Sequence, residues 1–159
     1  MFKVGQGFDL HRLEKGRRFI LGGVEIDYPL GLLGHSDADV LCHAIIDALL
    51  GAVGESDIGT LFPDTDAKFK DIDSTLLLKE VFELVKSKGY RINNIDTSIL
   101  AQEPKMKPYI PKIRENLSKL LNLDTENIGV KAKTMEHLGI IGTSQAVAVL
   151  ANVLVEKLQ

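Results

Sequence analysis

The chain has 159 residues, of which 45% are hydrophobic, and its formal net charge is −3 at pH 7. This length allows one domain with a substantial core but not two of ordinary size. The weakly acidic balance argues against broad binding to nucleic acid or to an anionic membrane. The single cysteine excludes an internal disulfide framework, and no apolar run reaches the roughly 18 residues that span a bilayer. The sequence therefore predicts one domain over residues 1–159, in the cytosol or an equivalent reducing compartment.

Hydrophobic patterns predict strands and helices in mixed order. The first strand begins at Lys3 and ends near Leu13, and residues 18–26 are predicted as its partner strand, kinked at their glycines. Residues 29–37 and 55–73 are predicted as loops. The remaining predicted elements are helices over 39–51, 74–88 and 108–121 and strands over 92–101, 127–133 and 146–155. This order favours a compact α/β (α+β) domain with helices covering one face of a mixed sheet.

Three of the four histidines stand beside carboxylates in two short segments, 7–11 and 35–43. Asp9 and His11 are two apart on a predicted strand, so their side chains project from the same face. His43 lies near the start of the helix that Asp39 caps. Two histidines and one aspartate can hold a divalent ion such as zinc and leave a position open for substrate. The alternative is a hydrogen-bonded surface pair without a metal.

Two residues near His43 in the sequence carry predictions of their own. Asp47 lies one helical turn further along and is predicted to orient the His43 ring. Cys42 points about 100° away from His43 around a helix, so its thiol is predicted to face the core.

Several loops carry a second layer of polar groups. Ser36, the segment Asp57-Ile58-Gly59 and the segment from Lys133 to Glu136 offer hydroxyls, backbone donors, a cation and a carboxylate. This mixture suits a phosphorylated ligand held through metal ions. Each feature also has a purely structural interpretation: Glu136 as a solvated or capping carboxylate, Asp57, Asp64 and Asp66 as turn formers, and residues 101–107 as a simple connection.

In chain order, these motifs resemble the 2-C-methyl-D-erythritol 2,4-cyclodiphosphate synthase family. The resemblance extends from Gly5 to Gly142, almost the whole chain. The segments that carry it are Gly7-Phe8-Asp9-Leu10-His11, Gly34-His35-Ser36-Asp37-Ala38-Asp39-Val40, His43-Ala44, Asp47-Ala48-Leu49-Leu50-Gly51-Ala52, Asp57-Ile58-Gly59, Leu61-Phe62-Pro63-Asp64-Thr65-Asp66 and Lys131-Ala132-Lys133-Thr134-Met135-Glu136.

The resemblance implies a lyase of non-mevalonate isoprenoid precursor synthesis. Such an enzyme converts 4-diphosphocytidyl-2-C-methyl-D-erythritol 2-phosphate into the cyclic diphosphate and releases CMP. The nucleophile is a phosphate oxygen of the substrate itself, which agrees with the lack of a nucleophilic serine or cysteine motif. A cytoplasmic location is implied for a bacterial protein, or the plastid stroma if a transit peptide has been removed.

The resemblance also implies roles for individual residues. Asp9, His11 and His43 would bind zinc, Glu136 would hold magnesium or manganese between the substrate phosphates, and His35 and Thr134 would stabilise the transition state. For His35 the alternative is that it only braces its loop. The substrate contacts implied by position are Asp9, Leu10, His11, His35, Ser36, Asp57, Ile58, Gly59, Phe62, Pro63, Asp64, Thr65, Asp66, Ala101, Gln102, Glu103, Pro104, Lys105, Met106, Lys107, Lys133, Thr134, Met135, Glu136, Ile140 and Thr143.

A homotrimer with active sites between neighbouring subunits is implied as well. Two other classes of function stay open: a metal-dependent phosphohydrolase that uses the same ligands to activate water, and a trimeric binding module without turnover. Family members often have an aromatic residue, an arginine and an acidic residue around a cavity on the trimer axis, where this chain has Ile140, Thr143 and Leu150. The sequence therefore predicts an apolar or empty axial channel that does not bind an isoprenoid diphosphate.

Overall fold

A computed structural model describes residues 1–159 of the chain. A five-stranded sheet with the strand order β4-β1-β7-β5-β6 forms its centre, and β2 and β3 form a separate two-stranded hairpin. The strands are β1 (Phe2–Lys15), β2 (Ile20–Leu21), β3 (Val24–Glu25), β4 (Leu30–Leu33), β5 (Tyr90–Leu100), β6 (Ile128–Lys133) and β7 (Ala146–Lys157). The helices are α1 (Val40–Val53), α2 (Ile58–Leu61), α3 (Ser74–Ser87), α4 (Ile110–Leu121) and α5 (Gly139–Gly142), with 3₁₀ turns at Ala67–Phe69 and Thr125–Asn127.

The last strand of the chain lies in the middle of the sheet. β7 pairs antiparallel with β1 on one side and with β5 on the other, while β5 and β6 run parallel. The predicted mixed α+β sheet is therefore confirmed. No helix of the protein is long and apolar enough to cross a membrane.

Helices cover one face of the sheet and leave the other face open. Leu41, Ile45 and Leu49 of α1 are fully buried in the core beneath that helix. The opposite face of β1 is exposed, because alternate strand residues point to opposite sides. Its exposed apolar side chains are Phe2, Val4, Phe8 and Leu10.

Most predicted elements occur where the sequence places them, including the helix capped by Asp39 and the buried last strand. The segment 18–26 is an exception, since it forms the hairpin of β2 and β3 and not a strand paired with β1. Gly22 and Gly23 both have positive φ angles, +58° and +74°. Two such residues in succession form the tight turn that reverses a hairpin, so the glycines turn the chain where a kink was predicted.

Four short elements lie in predicted loops or in segments without a predicted element. β4 lies inside the predicted loop 29–37 and pairs antiparallel with residues 12–15 of β1. The predicted loop 55–73 contains α2 and a 3₁₀ turn. α5 is bounded by Gly139 and Gly142, residues with low helix propensity, which explains why the sequence does not indicate a helix there.

Candidate metal and phosphate site

The structure brings Asp9, His11 and His43 together as predicted. Oδ2 of Asp9 lies 3.0 Å from Nε2 of His11 and 3.0 Å from Nδ1 of His43. The two ring nitrogens are 3.1 Å apart. One ligand atom from each residue lies within 4.8 Å of the others, so the three residues are positioned to bind a metal ion.

Close packing of β1 against α1 sets this arrangement. A Cβ atom on Gly7 would lie 1.9 Å from the backbone oxygen of Ala44, and one on Gly5 would lie 1.8 Å from that of Ala48. Only glycine allows the strand to approach the helix so closely. Asp9 and His11 then continue along the same face of β1 toward His43 on α1.

A buried carboxylate fixes the start of α1. Asp39 accepts hydrogen bonds from the backbone N–H groups of Gly22, Gly23 and Cys42, at 2.9, 2.7 and 3.0 Å. Burial raises the pKa of Asp39 even though these donors favour the ionised form. The cap ties the β2–β3 hairpin to the helix that carries His43.

Hydrogen bonds on the far nitrogens orient both histidines. Nδ1 of His11 lies 2.9 Å from the backbone oxygen of Leu33, which can only accept, so Nδ1 carries a proton and Nε2 faces the ligand cluster. Nε2 of His43 lies 2.9 Å from the hydroxyl of Ser74 and 3.2 Å from that of Ser36, and Nδ1 faces the cluster. Orientation of this kind is typical of histidines that bind metal ions, so the donor set fits a divalent ion.

The cluster is also strongly polarised. Burial raises the pKa of Asp9, but the hydrogen bonds and charge of His11 and His43 in their cationic forms outweigh burial and hold this pKa far below its ordinary value. Burial lowers the pKa of His11, but the hydrogen bond and charge of Asp9 outweigh it, so the net shift is upward. Asp9 therefore stays anionic, which suits a ligand for a cation.

The prediction for Asp47 is wrong. Its carboxylate accepts a hydrogen bond of 2.8 Å from the backbone N–H of Ile58 and therefore braces the loop that enters α2. Burial raises the pKa of Asp47 despite that bond. The prediction for Cys42 is confirmed, since its thiol is fully buried in the core and burial raises its pKa well above the ordinary value.

A cavity of about 410 Å³ opens beside the three ligands. Nine predicted site residues line it. They are Asp9, His11, His35, Ser36, His43, Ile58, Gly59, Phe62 and Asp64. The predicted contacts Asp57, Pro63, Thr65 and Asp66 do not line this cavity. Leu10 does not line it either, because its side chain projects from the opposite, open face of β1.

The loop that carries His35 is held from two sides. The guanidinium of Arg17 donates to the backbone oxygens of Gly34 and Ser36, at 3.2 and 2.9 Å. From the other side, Nε2 of His35 lies 3.1 Å from the backbone oxygen of Asp66, and the N–H of Asp71 donates to the oxygen of His35. These contacts fix the His35 ring at the edge of the cavity.

A second group of predicted residues forms its own cluster. The side chain of Gln102 accepts hydrogen bonds from the N–H groups of Met135 and His137, at 3.3 and 3.2 Å, and so joins the segment 101–107 to the segment 133–136. Thr134 donates to the carboxylate of Glu136 at 2.7 Å. None of these residues lines the cavity of the Asp9 cluster, so within one chain the predicted site residues form two separate clusters.

Ile140 and Thr143 lie in and just after α5, away from the Asp9 cluster. Ile140 is exposed and lines a separate cavity of about 260 Å³. Arg12 and Glu14 also line that cavity, so its wall within one chain is mixed and not purely apolar.

Sequence reasoning missed three residues that support the site: Ser74, Arg17 and Gln102. Ser74 follows Asp73 at the start of α3 and is readily interpreted as part of a helix cap. Arg17 and Gln102 act on backbone groups that are distant in sequence. No local pattern predicts such contacts, because side chain-to-backbone bonds depend on the fold.

Comparisons with known proteins agree with this geometry. The model of the YgbB family matches residues 2–156. The chain is 55% identical to the 2-C-methyl-D-erythritol 2,4-cyclodiphosphate synthase of Bacillus subtilis, over 99% of both chains. It resembles the Plasmodium falciparum IspF–CDP complex with a TM-score of 0.87 at 38% identity, covering 99% of this chain and 97% of that one.

A longer relative contains the same fold. The bifunctional IspDF of Campylobacter jejuni gives a TM-score of 0.96 at 43% identity and covers this whole chain, which spans 43% of that protein. A family model over nearly all residues and a relative of this identity settle the classification: the chain belongs to the YgbB family.

Proposed function

We propose that this chain is a lyase that converts 4-diphosphocytidyl-2-C-methyl-D-erythritol 2-phosphate into 2-C-methyl-D-erythritol 2,4-cyclodiphosphate and CMP, in isoprenoid precursor synthesis. Membership of the YgbB family and the names of its relatives support this activity. The observation that carries it is the Asp9–His11–His43 cluster, which opens on a cavity that also contains His35. The substrate is a small molecule with a cytidine diphosphate group, as the IspF–CDP complex suggests.

The reaction needs positioning and charge neutralisation more than a protein nucleophile. An oxygen of the 2-phosphate forms a bond to the β-phosphorus, while the bond from that phosphorus to the oxygen of the departing CMP breaks. Asp9, His11 and His43 would hold a divalent ion, zinc in our proposal. When bound, such an ion neutralises phosphate charge and polarises phosphorus.

The chain's own groups supply the rest. His35 is held at the cavity edge and would donate a hydrogen bond to charge that develops on phosphate. The half-cavity around Ile58, Gly59 and Phe62 would exclude water, which matters because hydrolysis competes with ring closure. The remaining predicted contacts from Asp57 to Asp66 would bind the sugar and phosphates.

We call the Asp9 cluster and the cluster of residues 101–107 and 133–136 the two half-sites. The second half-site would bind the cytidine and the diphosphate. Its backbone groups at 101–107 would contact the base, and Lys133 would face phosphate oxygens. Glu136 would hold magnesium or manganese, with Thr134 beside it, since Thr134 already donates to that carboxylate. Hard oxygen ligands of this type suit those two ions.

We propose that the chain assembles as a homotrimer, which would join the two half-sites across subunits. Two observations support assembly: the half-sites are separate within one chain, and the open sheet face carries Phe2, Val4, Phe8 and Leu10, whose exposure ranges from 37% to 71%. An exposed apolar patch of this kind is typical of a subunit interface. Residues 1–159 would form one domain of each subunit, and the cytoplasmic or plastid location stays a prediction.

Product analysis tests the activity. The purified protein is incubated with the substrate, zinc and magnesium, and the products are followed by phosphorus NMR beside Asp9→Ala. We expect CMP and the cyclic diphosphate in equal amounts, lost in Asp9→Ala but retained in Asp27→Asn, which alters an exposed carboxylate outside the site. Free phosphate products would favour the phosphohydrolase, and a folded protein without turnover would favour the binding module.

The axial channel has its own test. Thr143 offers no positive charge to a diphosphate, so we expect no saturable binding of farnesyl or geranyl diphosphate in a calorimetric titration. Tight binding that is abolished by substitution of Ile140 would contradict this prediction.

A further inference from the structure

A buried serine connects the metal-facing histidine of α1 to a carboxylate. Ser74 is the first residue of α3 and is completely buried. Its hydroxyl lies 2.9 Å from Nε2 of His43 and also contacts Oδ1 of Asp37. Three residues from separate segments therefore form one continuous hydrogen-bonded chain behind the ligand cluster.

Counting protons shows which group donates and which accepts along this hydrogen-bonded chain. Asp37 also accepts from the backbone N–H groups of Ser74 and Asp39, at 3.0 and 3.1 Å, so its carboxylate acts as an acceptor throughout. The hydroxyl of Ser74 has one proton, which it donates to Asp37. Its oxygen is then free to accept from His43, which favours a proton on Nε2 and, in the neutral ring, a lone pair on Nδ1.

That lone pair points at the ligand cluster. Nδ1 of His43 lies 3.0 Å from Oδ2 of Asp9, on the side where a cation would be held. Without a cation, Asp9 competes for a proton on Nδ1, so the tautomer shows whether the Ser74–Asp37 pair outweighs Asp9. The companion ligand is oriented differently, because His11 donates from Nδ1 to a backbone carbonyl and faces the cluster with Nε2. Only His43 is therefore connected, through Ser74, to a second carboxylate behind its ring.

We propose that Ser74, supported by Asp37, is a positioning residue that selects the Nε2–H tautomer of His43 and so presents Nδ1 to the divalent ion. Only the second half of this proposal, the presentation of Nδ1 to a divalent ion, rests on the metal site of the proposed function. The choice of tautomer is a property of the metal-free protein and is measured without an ion or a substrate.

Ser36 is the other hydroxyl within hydrogen-bond distance of Nε2 of His43. Its hydroxyl lies 3.2 Å from Nε2 of His43 and 3.3 Å from the hydroxyl of Ser74, and it accepts a hydrogen bond from the N–H of Ala38. Ser36 has no carboxylate behind it, so it does not impose a direction on the chain. Removal of Ser74 should therefore leave a weaker and less selective contact at Nε2.

The test uses nitrogen-15 NMR of histidine in the full-length, metal-free protein at about pH 9, where an ordinary imidazole is neutral. We expect the wild type to show His43 as the Nε2–H tautomer. In Ser74→Ala we expect a tautomer mixture or the Nδ1–H form. The matched control is Thr75→Ala, which removes the neighbouring hydroxyl that donates to Asp73 and should leave His43 unchanged.

Zinc affinity gives a second reading of the same variants. We expect Ser74→Ala to weaken zinc binding by about 10- to 100-fold, as loss of a partner behind a metal ligand commonly does, and Thr75→Ala to bind as the wild type does. Asp37→Asn keeps the size of the side chain but not its charge, so we expect a smaller loss. This variant keeps the proposal testable if Ser74→Ala does not fold.

Two results would overturn the proposal: a wild type in the Nδ1–H form, or a folded Ser74→Ala that retains both the Nε2–H tautomer and wild-type zinc affinity. A wild type that binds no zinc but loses the Nε2–H tautomer on Ser74→Ala would overturn the metal site and the metal-binding half of this proposal, while supporting the role of Ser74 in orienting His43.

Discussion

At the scale of single residues, the protonation of His11 is set by three opposing or supporting contacts. Burial lowers its pKa, while the hydrogen bond and charge of Asp9 raise it, with a smaller upward effect from the carbonyl of Leu33. The net pKa in the metal-free protein is raised. The stabilisation of the folded state by protonated His11 is therefore fully present below the unfolded-state pKa of about 6.5. It is lost as the pH rises through the folded-state pKa.

Substitution of the carboxylate should reverse the direction of the shift at this histidine. In metal-free Asp9→Asn we expect the pKa of His11 to fall below the wild-type value, because burial continues to lower it while the negative charge is gone. An NMR titration of the histidine ring protons measures the change. The exposed His137 lies outside the Asp9 cluster and serves as the internal reference in the same spectra.

An unchanged pKa of His11 in Asp9→Asn would show that Asp9 does not polarise the cluster. The same shift bears on metal binding. A proton on Nε2 must leave before a cation binds there, so a raised pKa makes acid release the ion at a higher pH than an ordinary histidine would.

At the scale of elements, the contact between β1 and α1 is the most demanding in the fold. A methyl group at position 7 would lie 1.9 Å from a backbone oxygen of α1, which cannot rotate away. We expect Gly7→Ala to lower the free energy of unfolding by about 3 kcal/mol, at the upper end of overpacking effects. Denaturant unfolding measures the change, and zinc affinity should fall with it because His43 moves away from Asp9 and His11.

Gly51 provides the matched control within the same helix. No atom lies within 4 Å of a Cβ atom built there. Alanine should therefore be tolerated, and it should stabilise α1 by up to about 1 kcal/mol through its higher helix propensity. Equal stability losses at positions 7 and 51 would contradict the close-approach explanation.

The elements that sequence reasoning predicts well are those with a strong hydrophobic period. The helix that follows Asp39 and the helix from Ser74 have a cap and regular apolar positions, and both occur as expected. β4 has four residues and lies among glycines and a proline, so its pairing with β1 depends on contacts that are remote in sequence. The sequence indicates a flexible point at Gly22 and Gly23, but it does not show that the chain reverses there to form a hairpin.

The candidate site divides in the same way. The ligands Asp9, His11 and His43 are recognisable because strand and helix spacings place them on defined faces. The partner of His43 is not, because Asp47 has the right helical spacing but its carboxylate bonds to Ile58, 11 residues further on. Ser74, 31 residues from His43, is brought to the ring only by the packing of α3 against α1.

At the scale of the whole molecule, the open sheet face should decide assembly. We expect Phe8→Asp to break the proposed trimer into smaller species, because it places a charge on an apolar face that a neighbour would bury. Light scattering after gel filtration measures the mass. Cyclisation should be lost along with the trimer, since each half-site would lack its partner.

Zinc binding separates loss of assembly from loss of folding. Phe8 points away from the face that carries Asp9 and His11, so the variant should still bind zinc near the wild-type affinity. Leu76→Asp is the control, since Leu76 is 58% exposed on α3; it should stay trimeric and active. A fully active Phe8→Asp monomer would contradict the intersubunit site.

Because β7 is both the central strand and the last one made, the sheet can be completed only at the end of synthesis. The three candidate metal ligands are all made within the first 43 residues, but β1 is held in the sheet mainly by a strand that begins at Ala146. While the ribosome is still adding residues, the early strand has no neighbour on that side, and the sheet cannot close. The cell therefore makes the ligands of this site first and completes the frame that holds them last, so we expect metal loading to follow release of the finished chain.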